Sequence, residues 1–307
     1  MSKVAHVFPG QGAQRVGMGQ DLYREFASAR RIFERADETL GFPLSRLCFE
    51  GPAEELKRTV NAQPAVMVVS LACLEAAREA LGASLPAPSY VAGHSLGEYT
   101  ALVAAGALDL AEGVRLVRER GRLMQEAGLK QPGGMAAVLG MDHGTLEAAC
   151  GEAGVEVANI NCPGQVVVSG AKGDLGRVVE LLQSRGGRKF LPLEVSGAFH
   201  SRWMRPAYDG LRRAVDACRF HPPSVPLVAN VTAQEVRDAG SVREELLNQL
   251  CSCVQWQRSV EHMAGAGVST FIEVGPGQVL SGLIKRITKE ARTLNIGSSS
   301  DILNWRR

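Results

Sequence analysis

Serine 95 lies in Gly93-His94-Ser95-Leu96-Gly97, the Gly-x-Ser-x-Gly pattern whose small flanking residues permit a sharp strand-to-helix turn that exposes a hydroxyl. A hydroxyl at the head of a helix sits beside free backbone N–H groups, that of Leu96 among them, where an oxyanion would develop. The same pattern also occurs in plain glycine-rich turns that pack a helix on a strand, so the surrounding elements decide between the two. A serine nucleophile needs a base, and histidines stand at 6, 94, 143, 200, 221 and 262. His6 falls in an expected strand and His262 on an amphipathic helix, while His94 adjoins Ser95, where neighbouring side chains of an extended turn point apart. His200, in Ser196-Gly197-Ala198-Phe199-His200-Ser201, lies on a loop where the chain returns from an inserted segment, the kind of cleft in which ligand sites collect. Position favours His200 without eliminating the others.

Arg120 discriminates further. Projected as a helix, the stretch from Leu110 to Ala127 puts Leu110, Val114, Leu116, Val117, Leu123 and Met124 on one arc, with Arg115, Arg118, Glu119, Arg122 and Glu126 opposite. Arg120 falls inside the apolar arc. A buried guanidinium requires an anionic or hydrogen-bonding partner, which is either a protein carboxylate or a substrate carboxylate held by the planar fork. Gly10-Gln11-Gly12 resembles the start of a dinucleotide fingerprint, but position 15, where the next glycine belongs, is Arg15. Such a turn can instead lend a backbone N–H, such as that of Gln11, to an oxyanion hole.

These residues need elements to position them. Val4 to Phe8 reads as a strand, Asp21 to Leu40 and Pro64 to Leu81 as helices, and Ser89 to Ala92 as a strand feeding the Ser95 turn and the helix from Leu96 to Ala105. Strand, tight turn and helix make an α/β core. From Pro132 the pattern becomes strand Met135 to Met141, helix Thr145 to Ala153, hairpin Val155 to Asn161 and Gln165 to Gly170, helix Leu175 to Ser184, and strand Arg188 to Val195. That β-α-β-β-α-β order is the ferredoxin-like split unit, read as a small domain over 132–196, with Pro132-Gly133-Gly134 and Ser196-Gly197 as hinges. Residues 1–131 and 197–307 make the large domain, with strands at Leu227 to Asn230 and Thr270 to Val274 and helices near Ala207, Val242, Arg258 and Val279.

The charge balance, 34 Lys and Arg against 32 Asp and Glu, gives no electrostatic case for nucleic acid or an anionic membrane. Seven scattered cysteines suit a reducing compartment rather than a disulfide framework, and Cys251 and Cys253 lack partners for a zinc site. No metal or cofactor is expected. No signal peptide is legible at the start, and the chain reads as cytoplasmic.

Taken together, Phe8 to Gly12, Gly51-Pro52-Ala53-Glu54-Glu55-Leu56, Gln63-Pro64-Ala65, Gly93 to Tyr99, Arg120-Gly121, Asn161 to Gln165, Phe199-His200, Val254-Gln255-Trp256 and Glu273 to Gly277 resemble the malonyl-CoA:acyl carrier protein transacylase family. The resemblance implies an α/β-hydrolase-like large domain with an inserted ferredoxin-like small one. It also implies that Ser95 takes malonyl from malonyl-CoA and yields it to the phosphopantetheine thiol of holo acyl carrier protein, for fatty-acid or polyketide synthesis. His200 would serve as base and then acid, oriented by the main-chain carbonyl of Gln249. Gln11 and Leu96 would form the oxyanion hole, Arg120 would hold the malonyl carboxylate, and Phe199 would crowd the α-carbon against branched units. A monomer is expected. The sequence departs from the family at Leu250-Cys251-Ser252-Cys253, where a Tyr-Asn-Pro sequence is common. Two rivals remain: a serine esterase or thioesterase acting on acyl-CoA or acyl carrier protein, which would bring a Ser-acid-His triad, and an inactive carrier-docking subunit.

Overall fold

The computed structural model describes residues 3–187 and 189–305. Its strands are β1 (Lys3–Phe8), β2 (Tyr90–Gly93), β3 (Gly133–Leu139), β4 (Glu156–Cys162), β5 (Gln165–Ala171), β6 (Lys189–Pro192), β7 (Leu227–Val228), β8 (Glu235–Val236), β9 (Val268–Val274) and β10 (Arg292–Ile296). They form two sheets, one ordered β10-β9-β1-β2-β7-β8 and one ordered β4-β5-β3-β6. The first is parallel except for β8. The second is antiparallel.

Central β1 is buried from Val4 onward, as expected of a parallel strand covered on both faces. Its His6 donates through Nε2–H to Pro86 O, 3.0 Å away, and burial pushes its pKa down to about 4. The helix Thr59–Leu81 packs against the sheet with almost every residue through Ala77 buried. By length and composition that segment, counted through Ser84, is apolar enough to cross a membrane, but its most apolar stretch is almost wholly buried inside the fold. It is a core helix.

The smaller sheet has the ferredoxin-like order. Its period-2 alternation assigns its two faces different work. Ala136, Val138, Val166 and Val168 pack under the helices His143–Ala153 and Lys172–Ser184, whereas Met135, Ala137 and Val167 face a cleft against the large sheet. The Ile160 N–H donates to Val254 O and the Val254 N–H to Ala158 O, both at 2.9 Å, so main-chain bonds tie β4 to the segment after Cys253. The Leu250–Cys253 departure thus ends in an ordered bridge.

Several expectations are corrected. The helix expected from Asp21 to Leu40 is two, Gln20–Glu25 and Ala27–Leu40, broken at Phe26, whose extended backbone turns its ring inward. The helix expected from Pro64 begins at Thr59, with Pro64 inside its second turn. Gly133 and Gly134 are strand residues paired with Ala171 and Gly170 rather than a hinge. The strand expected from Arg188 to Val195 spans Lys189–Pro192, and Arg188 itself lies outside the described residues. Beyond the last helix expected from sequence, near Val279, the chain supplies β10 and a helix Ser299–Leu303 whose Ser299 N–H donates to Asp21 at 2.7 Å.

Ser95 sits where β2 meets the helix Leu96–Ala104, with φ 53° and ψ −105°. A Cβ at Gly93 would fall 1.9 Å from the Gly97 carbonyl carbon, and one at Gly97 would fall 2.0 Å from Phe8 O. Only glycine lets the helix start this close to β1 and β2. Gly97→Ala is therefore expected to lower stability in urea unfolding by about 2 kcal/mol or more. Gly151→Ala, whose methyl would meet nothing within 4 Å, should raise stability by about 0.5 to 1 kcal/mol.

Candidate active site

The cleft between the two sheets has a volume of about 310 Å³ and is lined by the Pro9–Gln14 loop, the Ser95 turn, Arg120, His200, the inner face of the small sheet and the helix Val279–Ile287. At its base the structure brings Ser95, His200 and Arg120 together. Ser95 Oγ lies 2.7 Å from His200 Nε2 and 3.2 Å from Arg120 Nη2.

His200 holds a left-handed φ of 56° and is buried. Its Nδ1 is 2.9 Å from the Gln249 main-chain carbonyl. A carbonyl can only accept, so Nδ1 carries the proton and Nε2 presents its lone pair to the Ser95 hydroxyl. Gln249 ends the helix Ala239–Gln249, where carbonyls have no partner in the next turn. The helix terminus therefore does the orienting that a carboxylate does in a Ser-acid-His triad. Burial, and then the positive charge of Arg120, push the His200 pKa down to about 3. The imidazole is neutral near pH 7, as a base must be.

Arg120 is 1% exposed. Among the described residues no carboxylate pairs with it directly: Nη1 donates to Gln63 Oε1 and Nη2 to Gln249 Oε1, each at 2.8 Å, while Nε is buried without a partner. The Tyr99 ring lies beneath the guanidinium at 5.0 Å. Neutral amides satisfy part of its donor set and no carboxylate among the described residues touches it, an arrangement suited to an incoming anion. Of the two partners open from sequence, the protein carboxylate is thus the one not found. Arg118, placed on the outer face by projection, is half-buried, donating to Val60 O at 2.9 Å and to Asn61 Oδ1.

The Leu96 and Gln11 N–H groups have no partner among the described residues, and both residues line the cleft. Gln11 is tethered through its side chain, Nε2 donating to Thr59 Oγ1 at 3.2 Å. Phe199 also lines the cleft. His94 turns away from the Ser95 hydroxyl, with Nε2 at 2.8 Å from Asn161 Oδ1.

Sequence reasoning missed Asn230, Gln63 and Glu98. Asn230 clamps the strained turn, its Oδ1 accepting the Ser95 N–H and its Nδ2 donating to Gly93 O, both at 2.7 Å. Glu98, one turn into the helix behind Ser95, is fully buried, and burial with the Glu245 carboxyl alongside pushes its pKa well above the usual carboxylate range. Gln63 and Glu98 stand in segments that carry the family resemblance, but nothing local gives them a role, and Asn230 lies outside those segments. Among the described residues no cluster of three or more His, Cys, Asp or Glu is arranged for a metal ion, and the seven cysteines are free.

A family model described as the acyl transferase domain matches residues 5–302. The malonyl CoA-acyl carrier protein transacylase of Bacillus subtilis is 46% identical, with 98% of this chain and 96% of that protein covered, and the enzyme of that name from Escherichia coli is 43% identical over 96% of each. The chain belongs to the malonyl-CoA:acyl carrier protein transacylase family. A solved structure described as a type II polyketide synthase acyl carrier protein in complex with its malonyl-transacylase superposes with a TM-score of 0.94 at 38% identity, covering 98% of both chains. A superposition of that extent takes in both the parallel-rich sheet and the separate antiparallel one of this chain, so the fold expected from sequence stands.

Titrated by NMR, the His200 imidazole is expected to protonate near pH 3 rather than at the ordinary 6.5. Removing the neighbouring cation makes imidazolium less unfavourable, so Arg120→Ala should move that pKa upward. A value unchanged by the substitution would show that Arg120 exerts no field at the imidazole.

Proposed function

We propose that this acyltransferase carries malonyl from malonyl-CoA to holo acyl carrier protein through a malonyl ester on Ser95. The observation that carries the reading is the meeting of three groups at one oxygen: Ser95 Oγ within 2.7 Å of His200 Nε2 and 3.2 Å of Arg120 Nη2. In this reading His200 Nε2 removes the hydroxyl proton as Oγ attacks the thioester carbonyl. The developing oxyanion is met by the N–H groups of Gln11 and Leu96. Collapse breaks the C–S bond, and the proton on His200 passes to the departing coenzyme A thiolate. The phosphopantetheine thiol then enters the same cleft, gives its proton to His200, and attacks the ester carbonyl. Ser95 leaves as the alcohol with that proton restored.

Arg120 holds the free malonyl carboxylate in the two-point manner its planar fork allows. Phe199 beside the base crowds the α-carbon and disfavours branched acyl groups. The division into residues 1–131 with 197–307, and 132–196, is part of this reading, supported by the two sheets that bound the cleft. So are a monomeric state, a cytoplasmic setting, supported by the free cysteines, and service to fatty-acid or polyketide assembly. An esterase or thioesterase has less support, because the position behind His200 is a carbonyl rather than an acid and a buried guanidinium has no use in neutral ester hydrolysis.

Mixing protein with malonyl-CoA should add one malonyl mass to Ser95, seen by intact-mass spectrometry, and holo carrier protein should discharge it faster than water does. Ser95→Ala should take up none. Hydrolysis of malonyl-CoA at a rate indifferent to carrier would overturn the transfer reading. Arg120→Ala should lower the malonyl over acetyl preference in kcat/KM by about 100-fold, the range for losing one partner of a desolvated charge pair.

A further inference from the structure

Glu98 lies one helical turn beyond Ser95, is fully buried and faces no cation directly. Its Oε1 accepts the Asn230 N–H at 2.8 Å and its Oε2 accepts Gln249 Nε2 at 2.5 Å. The other hydrogen of Gln249 Nε2 goes to Ser95 O at 2.9 Å. That leaves Gln249 Oε1 pointing at Arg120 Nη2, 2.8 Å away. We propose that Glu98 is a positioning residue: by accepting at both of its oxygens it fixes which end of the Gln249 amide meets Arg120, and so holds the guanidinium at Ser95. The proposal rests on the reading of Arg120 as the carboxylate clamp.

Every donor along this line must meet an acceptor. The line begins at a main-chain N–H of Asn230 and ends at the Arg120 guanidinium, and both ends can only donate. An amide in the middle has one donating and one accepting end. The line closes without conflict only if the other member accepts at both ends, which a carboxyl does and a second amide does not. Burial and the neighbouring Glu245 carboxyl raise the Glu98 pKa, and a carboxyl in either protonation state keeps a lone pair on each oxygen for its N–H partner. In Glu98→Gln one donor must therefore face another. The Asn230 N–H is rigid main chain beside the Asn230 side chain that clamps the Ser95 turn, so the mismatch settles at the softer contact, Gln249 against Arg120. The main-chain carbonyl of Gln249 stays on His200 Nδ1, so the base is spared.

The test measures kcat and KM for malonyl-CoA and acetyl-CoA in Glu98→Gln, Gln249→Met, Arg120→Ala and the double variant Glu98→Gln/Arg120→Ala. Glu98→Gln is expected to cut the malonyl over acetyl preference by about tenfold, the scale of one hydrogen bond to a charged group, mainly by raising KM for malonyl-CoA. Gln249→Met, which keeps the main-chain carbonyl, should do the same even if Glu98→Gln fails to fold. In the double variant Glu98→Gln should add nothing to Arg120→Ala. Equal losses with both substrates, multiplied losses in the double variant, or an unchanged preference in Gln249→Met would overturn the proposal. If Arg120→Ala alone leaves the preference intact, the clamp reading is what fails. The Gln249 side-chain amide resonance in the free enzyme then decides for Glu98: it is expected to shift in Glu98→Gln, and an unmoved resonance would overturn the proposal.

Discussion

A guanidinium buried without a carboxylate beside it is the constraint around which this active site is arranged. Arg120 is 1% exposed, and stranding its charge would cost several kcal/mol if its donors went unmet. The fold meets part of that demand with neutral oxygens, Gln63 and Gln249, and places a serine hydroxyl on the remaining edge. The same charge suppresses protonation of His200, so one buried cation serves both to attract an anionic substrate and to keep the base unprotonated. A protein carboxylate against Arg120 would satisfy it better and remove both effects.

The absence of an acid behind His200 follows from the same economy. A triad aspartate would be a second anion competing with a substrate carboxylate for Arg120. The orienting acceptor is instead a helix-terminal carbonyl, neutral and rigid, on the residue whose side chain also contacts Arg120 and the turn carbonyl of Ser95. Gln249 thereby links base, clamp and nucleophile through one backbone position, and Glu98 and Asn230 tie that position to the strained elbow.

What was legible in the sequence were the features that depend on near neighbours. Gly93, Ser95 and Gly97 read as an elbow because the steric demand of the turn is local, and Arg120 stood out because an arginine violates helical period among apolar residues. The β-α-β-β-α-β order was legible because strand alternation and helix period change over within one segment. His200 rested on its place in the chain, since what makes it a base is a serine and a carbonyl brought from elsewhere. The roles of Asn230, Gln63 and Glu98 were illegible for a related reason: their bonds span 57 to 151 residues along the chain, and hydrogen-bond satisfaction across such distances leaves no periodic trace. The break at Phe26 was missed because it has neither glycine nor proline, only a ring that packs better inward.

The most direct measurement is the crystal structure of the protein trapped as its malonyl ester after soaking with malonyl-CoA. The account predicts an ester on Ser95 Oγ with its carbonyl oxygen between the N–H groups of Gln11 and Leu96 and its free carboxylate bonded to two nitrogens of Arg120. A carboxylate turned toward the cleft mouth, with Arg120 still bonded only to Gln63, Gln249 and Ser95, would contradict it.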